Sequence, residues 1–363
     1  MSKIVTFGEI MGRIMPAGLL RFRQALPGSV KMTFAGAEAN VAVSIAYLGG
    51  QSSFVTALPS NDIAEACLCQ LKMLNVDISH VLLTDQGRLG LFYTETGANQ
   101  RPSRVIYDRE YSSISLTPPE AYKWEEILND ACWFHLTGIT PALSEYSAQA
   151  AMVSVQKAKE HGVTVSCDLN YRSKLWRWDK TLSAKELAHK TMVRLLPYVD
   201  VLIANEEDSA AVLGITADNT DVQKGRLDVE QYQDVCLAIL KMFPDIQKIA
   251  TTFRESISAS RNLWGAMLFD GASRQFHYAP VKDGKYCPYD ITHIVDRVGG
   301  GDAFAAGLIF ALNHPQLCRC ESALAFAVAA SCLSHSIVGD YNFTKYEEVL
   351  ALMHGFESGR VVR

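Results

Sequence analysis

The run Asp296-Arg-Val-Gly-Gly-Gly-Asp-Ala-Phe-Ala-Ala-Gly307 joins three glycines and a carboxylate to the start of an apolar stretch. Gly299, Gly300 and Gly301 lack Cβ atoms, so they can take positive φ and let backbone N–H groups close on a ligand. Residues 303–312 read as a buried helix, and Ile291, Ile294 and Val295 lead in like a short strand. The glycines then fall in the turn, where the unpaired amides of a helix's first turn attract an anion. Asp302 stands at the mouth of that helix, whose positive end keeps a carboxylate ionised and able to take a proton from a substrate hydroxyl. These parts suit phosphoryl transfer. Taken alone, the segment equally fits a glycine-rich turn with an Asp cap.

Three further clusters carry chemistry. Gly36 precedes a predicted helix with Glu38 and Asn40 in its first turn, among small residues that leave room for a polar ligand; an ordinary cap over Ala-rich packing is the other reading. Asp168-Leu-Asn-Tyr-Arg172 and Asn205-Glu-Glu-Asp-Ser209 each follow a predicted strand, so both land at strand carboxyl ends, where active sites of α/β sheets gather. The acids Glu207 and Asp208 could hold Mg²⁺ through waters, or simply begin a helix.

Elements must position these clusters, and the spacing supplies them. Strand-like runs at 3–7, 53–57, 132–136, 163–168, 199–204 and 247–252 alternate with helical stretches at 38–48, 62–74, 144–161, 184–196, 230–243, 302–312, 320–335 and 344–354. That alternation predicts an α/β fold with a largely parallel sheet covered on both faces. Two extended excursions, 10–34 and 87–111, break the pattern. They predict a small β lid over the strand carboxyl ends, within a single domain spanning 1–363.

Composition narrows the class. A chain of 363 residues with 48% hydrophobic content and net charge −5 can bury a full core. It offers no basic stripe for nucleic acid and no polybasic flank for a membrane. Its apolar runs are short of a bilayer span, and the first residues enter a strand without a signal-peptide pattern, so a cytoplasmic address is expected. The nine cysteines are scattered and odd in number, as for reduced thiols, and Cys67-Leu-Cys69 and Cys318-Arg-Cys320 lack zinc-site spacing. The first turn, Phe7-Gly-Glu-Ile-Met-Gly12, is not a dinucleotide fingerprint, and neither a Walker loop nor a Gly-x-Ser-x-Gly elbow is present.

Gly8-Glu9, Gly36-Ala-Glu-Ala-Asn40 and Gly299-Gly-Gly-Asp302 together resemble the ribokinase-like (PfkB) carbohydrate kinases from end to end. Tyr107-Asp-Arg-Glu-Tyr-Ser-Ser-Ile-Ser115 and Asp168-Leu-Asn-Tyr-Arg172 are most similar to the 2-keto-3-deoxygluconate kinases of that family. The resemblance implies ATP and Mg²⁺ as cofactors, Asp302 as catalytic base, and Gly299, Gly300 and Gly301 as the anion hole. It implies Gly36, Ala37, Glu38, Asn40, Tyr93, Tyr107, Arg109, Arg172 and Asp340 at the sugar acid. It puts Asn170 near the nucleotide; Asn205, Thr251 and Arg254 are further candidates there from this sequence's own residues, with Glu207 and Asp208 near the metal. It also implies a homodimer through the lid. A carboxylated substrate accords with Arg172 and Arg109, since a guanidinium can bind a carboxylate in bidentate fashion. A kinase for another sugar (fructose, ribose or a related aldonate) and a non-catalytic sugar-acid or nucleotide sensor stay open.

The sequence departs from the family pattern in three places. Arg297 replaces a usual Thr, either to meet phosphate or to face solvent. Asp208 stands where the Asn-x-x-Glu signature has Glu. Thr251–Ser258 and Asn262–Gly265 replace a Lys-x-Gly-x-x-Gly-like nucleotide loop, with Arg254 either facing phosphate or paired with Glu255 or Glu207.

Overall fold

The structure, a computed structural model, describes residues 2–216 and 229–355. Six strands, Lys3–Phe7, Ser52–Val55, Ala131–Thr137, Thr164–Asp168, Val201–Ala204 and Lys248–Ser258, run parallel. Across the sheet they lie in the order 248–258, 201–204, 164–168, 131–137, 3–7, 52–55. Their apolar residues are used on both faces, as crossover helices require. Val5, Phe7, Leu202 and Ala204 pack toward Glu145–Glu160, Ala184–Leu195 and Val229–Met242. Ile4, Trp133, Val201 and Ile203 pack toward Ala37–Tyr47, Gly300–Leu312 and Cys320–Ser334. Local chemistry sets the helix starts. Ser183 and Glu186 exchange side-chain-to-backbone bonds, and Ser144 accepts from the Ser147 amide.

The predicted parallel elements are present with bounds shifted by a few residues, but one edge differs. The strand expected at 247–252 continues to Ser258 and returns as Arg261–Asp270, followed by Gln275–Ala279, so three antiparallel pairings extend the sheet. The exposed Arg254 and the polar Glu255 and Ser256 obscured a period-two pattern that buries Thr251 and Phe253. The lead-in to the glycines is also corrected. Only Tyr289–Ile291 is strand, paired with 262–264, whereas Val295 and Asp296 donate to the His335 carbonyl.

The two excursions pair with each other. Lys31–Ala35, Met11–Met15, Gly90–Glu95 and Arg104–Asp108 form a separate four-stranded sheet in that order. Side-chain parity divides it. One cross-strand row is Thr33, Arg13, Phe92 and Tyr107; the next is Met32, Ile14, Tyr93 and Ile106, facing the opposite way. No described helix is long and apolar enough to cross a membrane.

Candidate active site

The small sheet, the strand carboxyl ends and the glycine turn enclose a cavity of about 600 Å³. Helix Gly300–Leu312 starts two residues earlier than the predicted 302–312. Gly299 is its N-cap at φ 86°, while Gly300 and Gly301 already belong to the first turn, so only one of the three glycines uses positive φ. A Cβ on Gly299 would lie 2.3 Å from the Asp340 carbonyl oxygen. Gly301 faces open space in the cavity wall, but Gly300 is turned toward the His335 ring and does not line the cavity. The amides of Gly300, Gly301 and Asp302 precede the first intrahelical bond, made by Ala303 to Gly299, and of these Gly301 and Asp302 line the cavity where an anion would be met.

Asp302 is partly covered and accepts from Asn40 Nδ2 at 2.6 Å. Asn40 is itself held, its Oδ1 accepting from the Gly36 amide at 3.2 Å. Gly36 is required by space, since a Cβ there would sit 1.9 Å from the Glu9 carbonyl oxygen. Burial pushes the Asp302 carboxyl up to about 6, against the Asn40 bond that favours the charged form. A base in that range is ionised at neutral pH and still basic enough to receive a proton.

Other expected residues meet here. Gly36, Ala37, Asn40, Tyr107, Arg109, Asn170, Arg172, Asn205, Glu207, Asp208, Arg254 and Asp340 all line the cavity. Arg172 has no ion pair among the described residues, and its Nη1 donates to the Tyr171 carbonyl. Arg109 differs, because Glu9 accepts from its Nε at 2.6 Å and pairs with its guanidinium. Of the two arginines expected at a substrate carboxylate, Arg172 is therefore the one without a salt bridge among the described residues, although its charge bears on Asp168, Asp208 and Asp302. Arg254 likewise has no salt bridge to Glu255 or Glu207. Arg297 donates to the carbonyls of Ser258 and Ala259 at 3.1 and 2.9 Å, bracing the turn of the long hairpin while lining the cavity.

Three expected contacts lie elsewhere. Glu38 is buried, and its Oε1 accepts from the Thr137 amide and the Thr137 and Thr140 hydroxyls. Burial raises its pKa, with the threonines opposing, so it joins the helix to the sheet beneath the cavity. Tyr93 lies in the outward row of the small sheet, its ring 5.9 Å from Phe22; its neighbour Phe92 faces the cavity. Thr251 points into the core near Cys236, and Thr252 takes the cavity side. Tyr93 and Thr251 are each one residue out of register, which in a strand reverses the face.

The sequence reading missed Arg13, which is 1% exposed. It bonds Asp340 and Asp296, the latter at 2.5 Å, and Thr94 Oγ1 at 3.2 Å. Its parity with Met11 and Met15 in an apolar strand was the available signal. Asp168 was noted only as part of a cluster. It lines the cavity, and burial raises its carboxyl well above the usual range, with Asp208 and Asp302 adding and Arg172 opposing.

The acidic run after Val201–Ala204 begins a helix, Glu206–Leu213, with Asn205 as N-cap accepting from the Asp208 amide. Asp208 Oδ1 accepts from the Tyr171 amide at 3.0 Å, and burial lifts its pKa to about 6, opposed by Arg172. Among the described residues no three His, Cys, Asp or Glu side chains converge on a metal position. Glu207 and Asp208 line the cavity and offer carboxylate oxygens, the donor type that Mg²⁺ takes. Asn170, held at φ 35°, has a buried Oδ1 without a protein partner, a further acceptor for a bound molecule.

Sequence and structure comparisons place the chain beside sugar kinases. A family model described as pfkB family carbohydrate kinase matches residues 1–233. A 2-dehydro-3-deoxygalactonokinase from Haloferax volcanii is 31% identical over 359 residues, 99% of this chain and 98% of the relative. The solved structure of 2-dehydro-3-deoxygluconokinase from Thermotoga maritima is 40% identical with a TM-score of 0.87, covering 98% of this chain and 100% of that one. A putative 2-keto-3-deoxygluconate kinase from Enterococcus faecalis is 25% identical with a TM-score of 0.84, covering 100% and 99%.

Proposed function

Because the chain belongs to the pfkB family of carbohydrate kinases, we propose that it transfers the γ-phosphoryl group of ATP to the C6 hydroxyl of 2-keto-3-deoxygluconate. The observation that carries the substrate class is Arg172, a guanidinium on the cavity wall that makes no salt bridge among the described residues. A sugar acid offers it a carboxylate to bind in bidentate fashion, and a neutral sugar does not.

Asp302 takes the proton of the attacking hydroxyl, while Asn40 keeps the carboxylate aimed. The amides of Gly301 and Asp302 receive the charge that develops on the transferred group. Arg254 and Arg297 border the nucleotide side with Asn205 and Thr252, and the small sheet excludes water from the acceptor hydroxyl. Mg²⁺ carried by the nucleotide would offset phosphate charge, its waters held by Glu207 and Asp208. The row Met32, Ile14, Tyr93 and Ile106, with Ile106 60% exposed, gives a second copy of the chain an apolar face on which to pack.

The relative from Haloferax volcanii bears the name of the galacto epimer's kinase, so that substrate is the second reading. Both are tested by incubating the enzyme with ATP, Mg²⁺ and each epimer beside fructose and ribose, then locating the new phosphate by ³¹P and ¹³C NMR. A 6-phosphate of either keto-deoxy acid supports a sugar-acid kinase, and their relative rates choose between epimers. Phosphate on fructose or ribose alone overturns the substrate class. ATP hydrolysis without any phosphosugar overturns the kinase reading.

A further inference from the structure

Arg13 is a fully buried charge that the reaction outlined above does not use. It lies on the small sheet in the row with Phe92 and Tyr107, both cavity-lining. Yet its guanidinium reaches out of that sheet to two segments far along the chain, pairing with Asp340 through Nη1 and Asp296 through Nη2. Thr94 Oγ1 fixes the third edge by accepting from Nε. Both arms lead to the site. Asp296 Oδ1 accepts from the Val298 amide, its Oδ2 from the Gly339 amide, so it shapes the turn that delivers Gly299. Asp340 lines the cavity, and its carbonyl is the surface against which Gly299 packs. Burial raises Asp340 to about 7, and Arg13 is the first force opposing that rise.

We propose that Arg13 is a positioning residue: one planar fork on the small sheet holds Asp340 for the sugar and, through Asp296, the anion-binding turn for the nucleotide. A buried arginine flanked by two acids is costly unless its geometry is fully used. Here each side of the fork ends on a different half of the reaction. The position of the small sheet is thereby linked to the shape of the glycine turn. Lysine keeps the charge but presents a point rather than a fork, so it cannot hold both acids in the same geometry.

This inference rests on the kinase reading and is tested by a double-mutant cycle with whichever sugar the wild type phosphorylates. Arg13→Lys is expected to raise the sugar KM about tenfold and the ATP KM severalfold, a coupling typical of residues in one network. Asp340→Asn alone should raise the sugar KM, and Arg13→Lys added to it should contribute less than about a further threefold. Asp296→Asn should behave in the same way toward the ATP KM. A misfolded fraction lowers kcat and leaves both KM values alone, so this split separates positioning from general damage. If Arg13→Lys does not fold, Arg13→Gln combined with Asp296→Asn balances the charge. Compared with Asp296→Asn alone, it should raise the sugar KM. Unchanged KM values, or effects that multiply fully across the cycle, overturn the inference while leaving the kinase reading intact. A wild type that phosphorylates no sugar overturns both.

Discussion

Asp302 is held in a state that favours chemistry over stability. Its carboxyl is raised to about 6 by burial, above its unfolded value of about 4. The protonated form is favoured in the folded chain, so this group's stabilising contribution is present at low pH and lost as pH rises through about 6. Asp302→Asn should therefore melt higher than the wild type at about pH 8, by an amount on the order of 1 kcal/mol, with the gain vanishing near pH 4. The same change should cut kcat by roughly a hundred- to ten-thousand-fold, and wild-type activity should fall on an acid limb near pH 6. Thermal melts and pH–rate profiles read both; near-normal turnover in the variant removes Asp302 as the base. The neighbouring glycines divide by role. Gly301→Ala meets no protein atom within 4 Å and gains about 1 kcal/mol of helix propensity, so it should fold well and bind ATP weakly. Gly299→Ala has a positive φ and a carbonyl in its way, so it should lower the melting temperature as well. Calorimetric ATP titration beside melting curves separates the two, and unaltered ATP affinity in Gly301→Ala contradicts the anion-hole assignment. Placement at the cavity was legible where a residue type carries its own reason, as for Asp302 and Gly36. Pairing was hidden where partners come from far along the chain: Arg109 is taken by Glu9, and Glu38 by Thr137 and Thr140.

At the scale of elements, the parallel strands were readable because each is a short apolar run buried on both faces. The long hairpin 248–270 was not, since its distal half alternates polar and apolar residues beside the cavity. Parity errors followed from the same cause. Without the partner strand, nothing in the sequence states that Phe92 rather than Tyr93, or Thr252 rather than Thr251, faces inward. The hairpin is tied at its turn. Ala259 donates to the Asn99 carbonyl at 2.7 Å, and Asn99 donates to Ser260 Oγ at 3.0 Å, so the tip of the small sheet rests on a turn whose carbonyls Arg297 grips. Arg297→Thr, the family's usual residue, should loosen this contact. Hydrogen exchange at the Ala259 amide should accelerate, and the ATP KM should rise about tenfold, as expected for loss of a charged hydrogen-bonding group. Unchanged exchange at Ala259 shows that Arg297 does not brace the turn.

At the scale of the molecule, the ribokinase-like fold sets an α/β core, which supplies acids and amides at its strand ends, against a small sheet that covers them. The sheet presents an apolar outer row, and Leu19, Leu26 and Val30 on the connection between its strands Met11–Met15 and Lys31–Ala35 are exposed too. If that face joins two copies, Ile106→Glu should convert a dimer into a monomer in light scattering, with little change in melting temperature at an exposed strand position. A wild type that is already monomeric contradicts the packing proposal and leaves the chemistry untouched. The most direct test of the central claim compares kcat/KM for 2-keto-3-deoxygluconate and for fructose, in the wild type and in Arg172→Ala. The account predicts that the wild type prefers the acid and that the variant loses about a hundredfold or more with it, the cost of an unpaired charge in the complex, while fructose changes little. Equal loss for both sugars, or a wild type that prefers fructose, would contradict it.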